Sequence, residues 1–250
     1  MKHDGELVTD CGEICNKKGD FFRSVFSKDE VSDTNNNIED LTEQKIEDIT
    51  ITEDDIKKKL KSLKPFSSSG PDNISTKILI LASDEIAALH LIFQKSLNTG
   101  TLPNDWKKAK IVPVFKKVSR FEVGNYRPKS LTSVICKVME SLLKEHIVDH
   151  LDKNNLIHST QHGFMKKKSC LTNLLEYLET VQNNTDLGDS VDVIYLDFAK
   201  AFDKVSHRKL AQVLKAHGIR GKILQWIISW LTDRSQTVIY NRRSSGWKPV

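Results

Sequence analysis

The sequence predicts an α+β fold in which helices dominate and a few separate strands contribute. Three observations lead to this prediction. With 250 residues, of which 38% are hydrophobic, the chain is long enough to bury a core. Apolar residues recur at helical spacing in most segments from residue 52 to residue 231. Only three short runs rich in β-branched residues indicate strands, and they lie far apart along the chain.

Charge separates an acidic leader from a basic body. Residues 1–55 hold 6 Lys or Arg against 16 Asp or Glu, whereas residues 56–250 hold 32 against 17. A basic body favours a polyanionic partner, although ordinary surface charge is the simpler alternative. Residues 1–51 are predicted to be mostly disordered, with one weak helix at a short apolar cluster. That cluster comprises Phe21, Phe22, Val25 and Phe26.

The first predicted helices begin after this leader. Thr52 and Asp55 have the spacing of an N-terminal capping pair, and apolar residues follow at helical spacing. The stretch KPFSSSGPDNIS, residues 64–75, is typical of a loop because it is rich in Ser, Gly and Pro. Residues 74–97 then predict one long amphipathic helix, or two, ending before Gly100.

The middle of the chain predicts a strand, a turn and two helices. Residues 106–115, WKKAKIVPVF, indicate a strand, and Pro113 favours a position at the edge of a sheet. The residues GNYRP that follow are interpreted as a turn. Helices are predicted to begin at Ser133, ending near Asn154, and at Ser169, ending before Gly188.

The last third carries the segment with the clearest chemistry, VDVIYLDFAKAFDKV at residues 191–205. Its apolar run predicts a strand that ends on the carboxylate of Asp197. Such a carboxylate can hold a divalent cation against a nucleotide, or it can simply begin the following turn. Helices at 206–217 and 222–231 and a strand at 236–240 complete the prediction.

From about Thr52 to the last residue, the chain resembles the reverse transcriptases of non-LTR retrotransposons, the LINE and jockey-like elements. The resemblance rests on the segment at 191–205 and on the blocks GPD (70–72), NYRPKSLTS (125–133) and QHGFMKKKSC (161–170). It implies a right-hand polymerase, with a connector at 1–51, a fingers-like region at 52–190 and the first part of a palm at 191–250.

The resemblance also implies roles for individual residues. Asp197 and the backbone carbonyl of Phe198 would be ligands of Mg²⁺, and Phe202 would be the steric gate that selects deoxynucleotides. Phe202 could instead be an ordinary core residue. Arg127, with Lys116 or Lys117, would contact the incoming triphosphate, for which Arg offers paired donors. The alternative is a solvated basic hairpin.

Two further basic groups are candidates for nucleic-acid contact, and either could instead be ordinary surface. The block QHGFMKKKSC, residues 161–170, resembles the template-handling loop of the family. Lys166, Lys167 and Lys168 precede a predicted helix start, where backbone amides attract phosphate. Arg242 and Arg243, with Arg234 and Trp247, would form a basic, aromatic-bearing rim beside the last strand. The implied partners are an RNA template, a DNA primer and a dNTP. The sequence predicts no membrane span and an intracellular protein, nuclear or cytoplasmic.

Departures from the family bear on activity. The paired-aspartate hairpin that would complete the metal site does not occur in this sequence, so we expect little or no polymerisation by this chain alone. Lys129 stands where the family usually has an aliphatic residue, and Met165 where it usually has arginine. A non-catalytic nucleic-acid-binding relic of a mobile element is therefore the second hypothesis. A maturase is a third, and it would need an additional splicing domain.

Overall fold

Helices dominate the computed structural model, which describes residues 2–3, 6–26, 38–116 and 118–250. The described helices and strands confirm a mixed fold of the α+β kind. The α-helices are α1 Cys11–Ser24, α2 Glu53–Lys61, α3 Thr76–Leu81, α4 Ala87–Thr99, α5 Val134–Lys153, α6 Cys170–Asp186, α7 His207–Ala216 and α8 Gly221–Leu231. Short 3₁₀ turns lie at Asn104–Lys107 and Val123–Asn125. None of the described helices is long and apolar enough to cross a bilayer.

One main sheet is formed by strands from distant parts of the sequence. The strands are β1 Lys2–His3, β2 Glu6–Leu7, β3 Lys108–Phe115, β4 Tyr126–Leu131, β5 Ser235–Tyr240, β6 Arg243–Ser244 and β7 Lys248–Pro249. The main sheet has the order β4-β3-β5-β6, and β7 also pairs with β5. β3 is antiparallel to β4 and parallel to β5, while β1 and β2 pair only with each other.

The predicted helix starts and stops are confirmed by their caps. Thr52 and Asp55 form a reciprocal capping box at the start of α2. Ser133, Ser169 and Ser206 each accept a hydrogen bond from the backbone N–H three residues on. The predicted long helix at 74–97 is two helices, α3 and α4, and Gly100 ends α4 with a φ of 61°.

Two predictions about the β3–β4 hairpin, residues 108–131, are wrong. β3 lies between β4 and β5 rather than at an edge, and the predicted GNYRP turn leads directly into a strand. The prolines explain both errors. Pro113 lies beyond residues 108–111, which pair with β5, and it sits opposite Pro128 of β4. Two residues without an N–H can face each other at a position where the antiparallel ladder makes no hydrogen bond.

The strand predicted to end at Asp197 does not form. Residues 191–198 have no regular secondary structure, although they contain a run of apolar and aromatic residues. Their side chains are mostly exposed, with Ile194 83% and Leu196 87% accessible. A strand requires a neighbour to complete its backbone ladder. No described strand pairs with this segment.

The main hydrophobic core joins residues from both sides of position 190. α2, α4, α5 and α8 contribute most of its members, with Phe93, Leu97, Met139 and Trp226 among the most deeply buried. The indole N–H of Trp226 donates a hydrogen bond of 3.0 Å to the hydroxyl of Ser96, so this buried polar pair is satisfied. The two regions expected at 52–190 and 191–250 therefore share one core.

The described part of the leader is more structured than the expected mostly disordered connector. α1 packs on β5 and buries Phe22 against Ala109, Ile111 and Val238, which form a second, smaller core. Residues 38–51 run along α7 and α8, and the backbone N–H of Ile46 donates to the carbonyl of Gly218. The apolar residues of this otherwise acidic leader, such as Phe22 and Ile51, are buried in the two cores and hold the leader against the rest of the protein.

Candidate nucleotide and nucleic-acid site

The exposed end of the β3–β4 hairpin brings two predicted triphosphate ligands together. Arg127 is exposed on β4, in register with Val114 of β3. Lys116 is exposed directly after β3, and its backbone N–H donates 2.8 Å to the carbonyl of Asn125. Lys117 lies outside the described residues. Two cations at one hairpin end can bind an anionic ligand such as a triphosphate.

The two faces of this hairpin differ because successive side chains of a strand alternate. Tyr126 lies on the face covered by α1, where the ammonium of Lys18 sits 3.5 Å from its ring centroid. Arg127 and Lys129 lie on the next alternate positions, on the opposite face, and both are exposed. Lys129 therefore keeps its charge in water, so this departure from the family carries no burial cost.

The GPD block at residues 70–72 supports the other end of β4. A Cβ at Gly70 would lie 2.6 Å from backbone atoms of Thr132 and Ser133, so no larger residue fits there without movement. The Lys110 ammonium lies 2.7 Å from Oδ1 of Asn73 and 3.3 Å from the carbonyl of Gly70. The expected turn-forming role of this block agrees with these contacts.

Asp197, the predicted metal ligand, is exposed within residues 191–198. Its neighbour Phe198 is 82% accessible. Nowhere in the described ranges do three or more His, Cys, Asp or Glu side chains form a group that could hold a metal ion. A single carboxylate does not provide the several oxygen ligands that Mg²⁺ requires, so these residues do not by themselves fit a complete cation site.

Phe202, the predicted steric gate, stands on the turn after Asp197 and is 80% exposed. Its ring meets that of Phe164 edge-on, with 6.2 Å between centroids. Phe164 belongs to the QHGFMKKKSC block, so the gate segment contacts the predicted template-handling segment. On the same turn, the Lys200 ammonium lies 4.5 Å from the ring centroid of Phe21 in α1.

A cavity of about 440 Å³ lies between this turn and the sheet. Phe202 and Asp203 line one side of it, and Ser130 and Gln236 line the other. The side-chain Nε2 of Gln236 is buried and has no hydrogen-bond partner among the described residues. Ser206, rather than Asp203, caps the start of α7. The sequence does not reveal this cavity, because its walls include residues more than 100 positions apart.

Arg234 also lines the cavity and differs from its expected place on an exposed basic rim. Its guanidinium stacks on the ring of Trp230 at 4.9 Å and donates to the Trp230 carbonyl at 2.8 Å. Burial lowers the pKa of Arg234, and the charge of nearby Glu140 partly opposes this shift. Arg234 therefore packs against the fold and is partly buried, whereas Arg242 and Arg243 are exposed.

The three lysines of the predicted template-handling block lie in the lysine loop, residues 163–168. Lys166 and Lys167 are exposed, and Lys167 has a φ of 63°. Lys168 is partly buried and contacts the carbonyl of Ser159. The loop leads into α6, where the Ser169 hydroxyl already accepts from the N–H of Thr172. One of the amides that could attract phosphate is thus occupied.

The β5–β6 turn displays the remaining basic pair. Asn241 and Arg242 both have positive φ, 47° and 62°, as a tight two-residue hairpin turn requires. Arg242 and Arg243 are exposed there, on a different part of the sheet from Arg127. The described structure therefore presents separate basic surfaces at the β3–β4 hairpin end, the lysine loop and the β5–β6 turn.

Comparison with known proteins agrees with the resemblance of these blocks. Residues 107–249, more than half of the chain, match the family described as reverse transcriptase (RNA-dependent DNA polymerase). The chain is 26% identical over 203 residues to the RNA-directed DNA polymerase from mobile element jockey of Drosophila melanogaster, covering 80% of this chain and 22% of that protein.

Other relatives come from similar elements. The Pol polyprotein from the type-1 retrotransposable element R2 of Popillia japonica is 23% identical over 190 residues, which cover 75% of this chain and 25% of that protein. The probable RNA-directed DNA polymerase from transposon BS of Drosophila melanogaster is 27% identical over 164 residues, 65% of this chain and 18% of that protein. The chain thus spans about a fifth to a quarter of the length of these curated relatives.

Proposed function

We propose, because this chain belongs to the reverse transcriptase (RNA-dependent DNA polymerase) family, that it forms the fingers and the first part of the palm of a non-LTR retrotransposon polymerase. In such an enzyme the reaction is nucleotidyl transfer from a dNTP to a DNA primer on an RNA template. The contribution that we assign to the described residues is binding of the nucleotide and of nucleic acid.

The exposed hairpin end that holds Arg127 and Lys116 carries this proposal. A guanidinium has donors in a fixed fork that suits phosphate oxygens, and a nearby ammonium adds a mobile charge. No described carboxylate forms an ion pair with either side chain, so both charges are available to a ligand. The expected ligand is the triphosphate of a dNTP.

We further propose that Phe202 limits the sugar and that Asp197, with the Phe198 carbonyl, contributes to a Mg²⁺ site. Phe202 is a large flat side chain on a turn, and its ring meets that of Phe164 edge-on. Mg²⁺ remains an expectation from the family, since no group of three or more His, Cys, Asp or Glu side chains that could hold a metal forms among the described residues. The metal would supply charge neutralisation at the phosphates when bound.

Nucleic acid is proposed to contact the lysine loop and the β5–β6 turn. Lys166, Lys167, Arg242 and Arg243 are exposed and can neutralise backbone phosphates, so affinity for RNA should fall as salt rises. The second candidate function, a non-catalytic nucleic-acid-binding relic, uses these same residues.

Equilibrium binding of a fluorescent dNTP analogue tests the nucleotide proposal. We expect Arg127→Ala to weaken binding about ten- to hundredfold, as loss of a charge-assisted contact of about 1.5–3 kcal/mol implies. Arg127→Lys should recover only part of the affinity, because the charge returns without the fork. Lys95→Ala, which removes an exposed lysine on α4, is the matched control and should leave binding unchanged. Equal affinity of Arg127→Ala and the unmodified chain would refute the proposal.

A primer-extension assay separates the two candidate functions. Supplied with Mg²⁺, a primed RNA template and dNTPs, the chain alone should bind RNA in a salt-dependent manner and incorporate little or no nucleotide. Incorporation above the background of an Asp197→Asn variant would exclude the relic. Binding of RNA without any affinity for dNTP would support the relic instead.

A further inference from the structure

Lys18 of α1 is a lysine buried between two tyrosine rings. Only 1% of its surface is accessible, and its ammonium lies 3.5 Å from the ring centroid of Tyr126 and 4.3 Å from that of Tyr240. Among the described residues no carboxylate forms an ion pair with it. The ring faces therefore supply the compensating negative electrostatic potential, and such a contact strengthens when water is excluded.

The two tyrosines belong to strands that do not pair with each other. Tyr126 opens β4 and Tyr240 ends β5, and β3 lies between these strands in the sheet. Lys18 thus bridges the sheet across β3 from the face that α1 covers. Backbone hydrogen bonds connect β4 to β5 only indirectly, through β3. The contact of Lys18 with both tyrosines connects these two strands directly and so fixes their relative position.

Tyr126 connects Lys18 to the candidate nucleotide site. It immediately precedes Arg127, with its side chain on the opposite face of β4. Its ring packs edge-on against Phe115 with centroids 5.6 Å apart, and its hydroxyl donates 2.9 Å to the carbonyl of Arg120 in the hairpin loop. A shift of this ring would move the strand end that carries Arg127 and the loop next to Lys116.

α1 is held firmly enough to act as the support for this contact. Phe22 is buried in the small core on the sheet, and Asp20 forms an ion pair with Lys248 of β7. The thiol of Cys15 lies 3.4 Å from the carbonyl of Arg243 in β6. These contacts attach α1 to β5, β6 and β7. Lys18 adds a charged contact between α1 and Tyr126 of β4.

We propose that Lys18 is a positioning residue for the nucleotide site: by bridging Tyr126 and Tyr240, it fixes the strand end on which Arg127 binds the triphosphate. This inference rests on the proposed function, because it assumes that Arg127 contacts a nucleotide. Helix α1 lies in the leader, before the region that matches the family, and would in this way take part in nucleotide binding.

The test measures affinity for the fluorescent dNTP analogue in the full chain, with thermal unfolding recorded for every variant. We expect Lys18→Met to weaken binding about three- to tenfold, or about 0.7–1.4 kcal/mol, as loss of a cation–π contact implies. Lys18→Arg, which retains the charge over the rings, should bind within about twofold of the unmodified chain. Lys17→Met is the matched control, because the ammonium of Lys17 pairs with Glu13 on the same helix.

A double-mutant cycle with Arg127→Ala distinguishes positioning from general loss of structure. If Lys18 acts through Arg127, Lys18→Met should weaken binding no further once Arg127 is alanine. Additive losses, or unchanged affinity in folded Lys18→Met, would overturn the inference. Unchanged affinity in Arg127→Ala would instead refute the proposed function on which it rests. Should Lys18→Met fail to fold, Tyr240→Leu removes one ring of the bridge and should weaken binding about twofold.

Discussion

Nε2 of His162 lies 2.7 Å from Oε2 of Glu176, which ties the segment before the lysine loop to the second turn of α6. Nδ1 of the same ring lies 3.0 Å from the hydroxyl of Thr172, so both ring nitrogens are engaged. The His162 side chain is 7% accessible, whereas that of Glu176 is 46% accessible. The loop that presents Lys166 and Lys167 therefore has one well-defined anchor.

Removing this anchor should loosen the lysine loop. We expect His162→Ala to lower the free energy of unfolding by about 1–2 kcal/mol and to speed proteolysis within residues 163–168, because two hydrogen bonds are lost. RNA affinity should fall modestly, since the lysines remain but are less well placed. Circular dichroism melting and limited trypsin digestion measure both effects. His158→Ala, on an exposed histidine nearby, is the control; equal protease sensitivity in the two variants would contradict the anchor.

The capping box at the start of α2 gives a second prediction, and it depends on pH. Thr52→Ala should cost about 1 kcal/mol at neutral pH, the usual worth of an N-cap side chain. Hydrogen bonds from the Thr52 hydroxyl and backbone N–H lower the pKa of Asp55 below its ordinary 3.8. A carboxylate with a depressed pKa stabilises the fold above that ordinary value, and this stabilisation is lost as pH falls through the lower, folded value.

The difference between unmodified chain and Thr52→Ala should therefore shrink in acid. Urea unfolding at pH 7 and pH 3 measures it. Thr52→Ser, which keeps the hydroxyl, should behave like the unmodified chain at both values. A difference that stays constant down to pH 3 would show that the Asp55 carboxylate takes no part in the cap.

Lys18 gives a third prediction, a pH dependence with the same sign as that of Asp55 but at alkaline pH. Burial lowers the pKa of Lys18 from 10.5 to about 8. Between these values the unfolded chain binds more protons than the folded one, so this group makes the fold more stable as pH rises. Relative to Lys18→Met, the unmodified chain should gain about 1 kcal/mol between pH 7 and pH 9.

Denaturant unfolding of both proteins across this range measures the gain. Burial raises the pKa of the Cys15 thiol and of the Tyr126 hydroxyl in the same region, but both proteins carry these groups. Their contributions therefore largely cancel in the comparison. A difference independent of pH would mean that Lys18 titrates near its ordinary value and that water reaches its ammonium.

Local signals predicted the helices well and the strands less well. The caps at Thr52, Ser133 and Ser169 lie within four residues of the atoms they satisfy, so the sequence displays them directly. β4 was not predicted because Pro128 indicates a turn when the sequence is considered locally. Whether Pro128 interrupts a strand depends on its position opposite Pro113 of β3. Register between strands is not a local property, and it decides whether a proline breaks a ladder.

In the candidate site, too, local sequence signals predicted some residues, while contacts between distant residues were not predicted. Arg127 and Lys116 were recognised from sequence blocks, and the hairpin does bring them to one end. Lys18 was overlooked because its partners, Tyr126 and Tyr240, are 108 and 222 positions away. Its position within a mostly acidic leader also gave no sign of burial. The segment ending at Asp197 was predicted as a strand from composition alone, and composition does not reveal whether a pairing strand is available.

That segment gives the last prediction. Ile194, Tyr195, Leu196 and Phe198 are all more than 80% exposed, and several leucines of α6 are exposed as well. The hydroxyls of Tyr195 and Tyr177 are 3.3 Å apart, which places the two elements side by side. Such a contiguous apolar surface favours self-association of the chain. We expect the unmodified chain to aggregate with increasing concentration.

Ile194→Lys should reduce this aggregation without changing the melting temperature, because the side chain is already in water and makes few contacts to lose. Ile223→Lys is the contrasting variant: Ile223 is fully buried in the main core, and a charge there should unfold the protein. Light scattering against concentration and thermal melting separate the two effects. If Ile194→Lys lowered the melting temperature as much as Ile223→Lys, residues 191–198 would be packed in solution, and the carboxylate of Asp197 would be held by that packing.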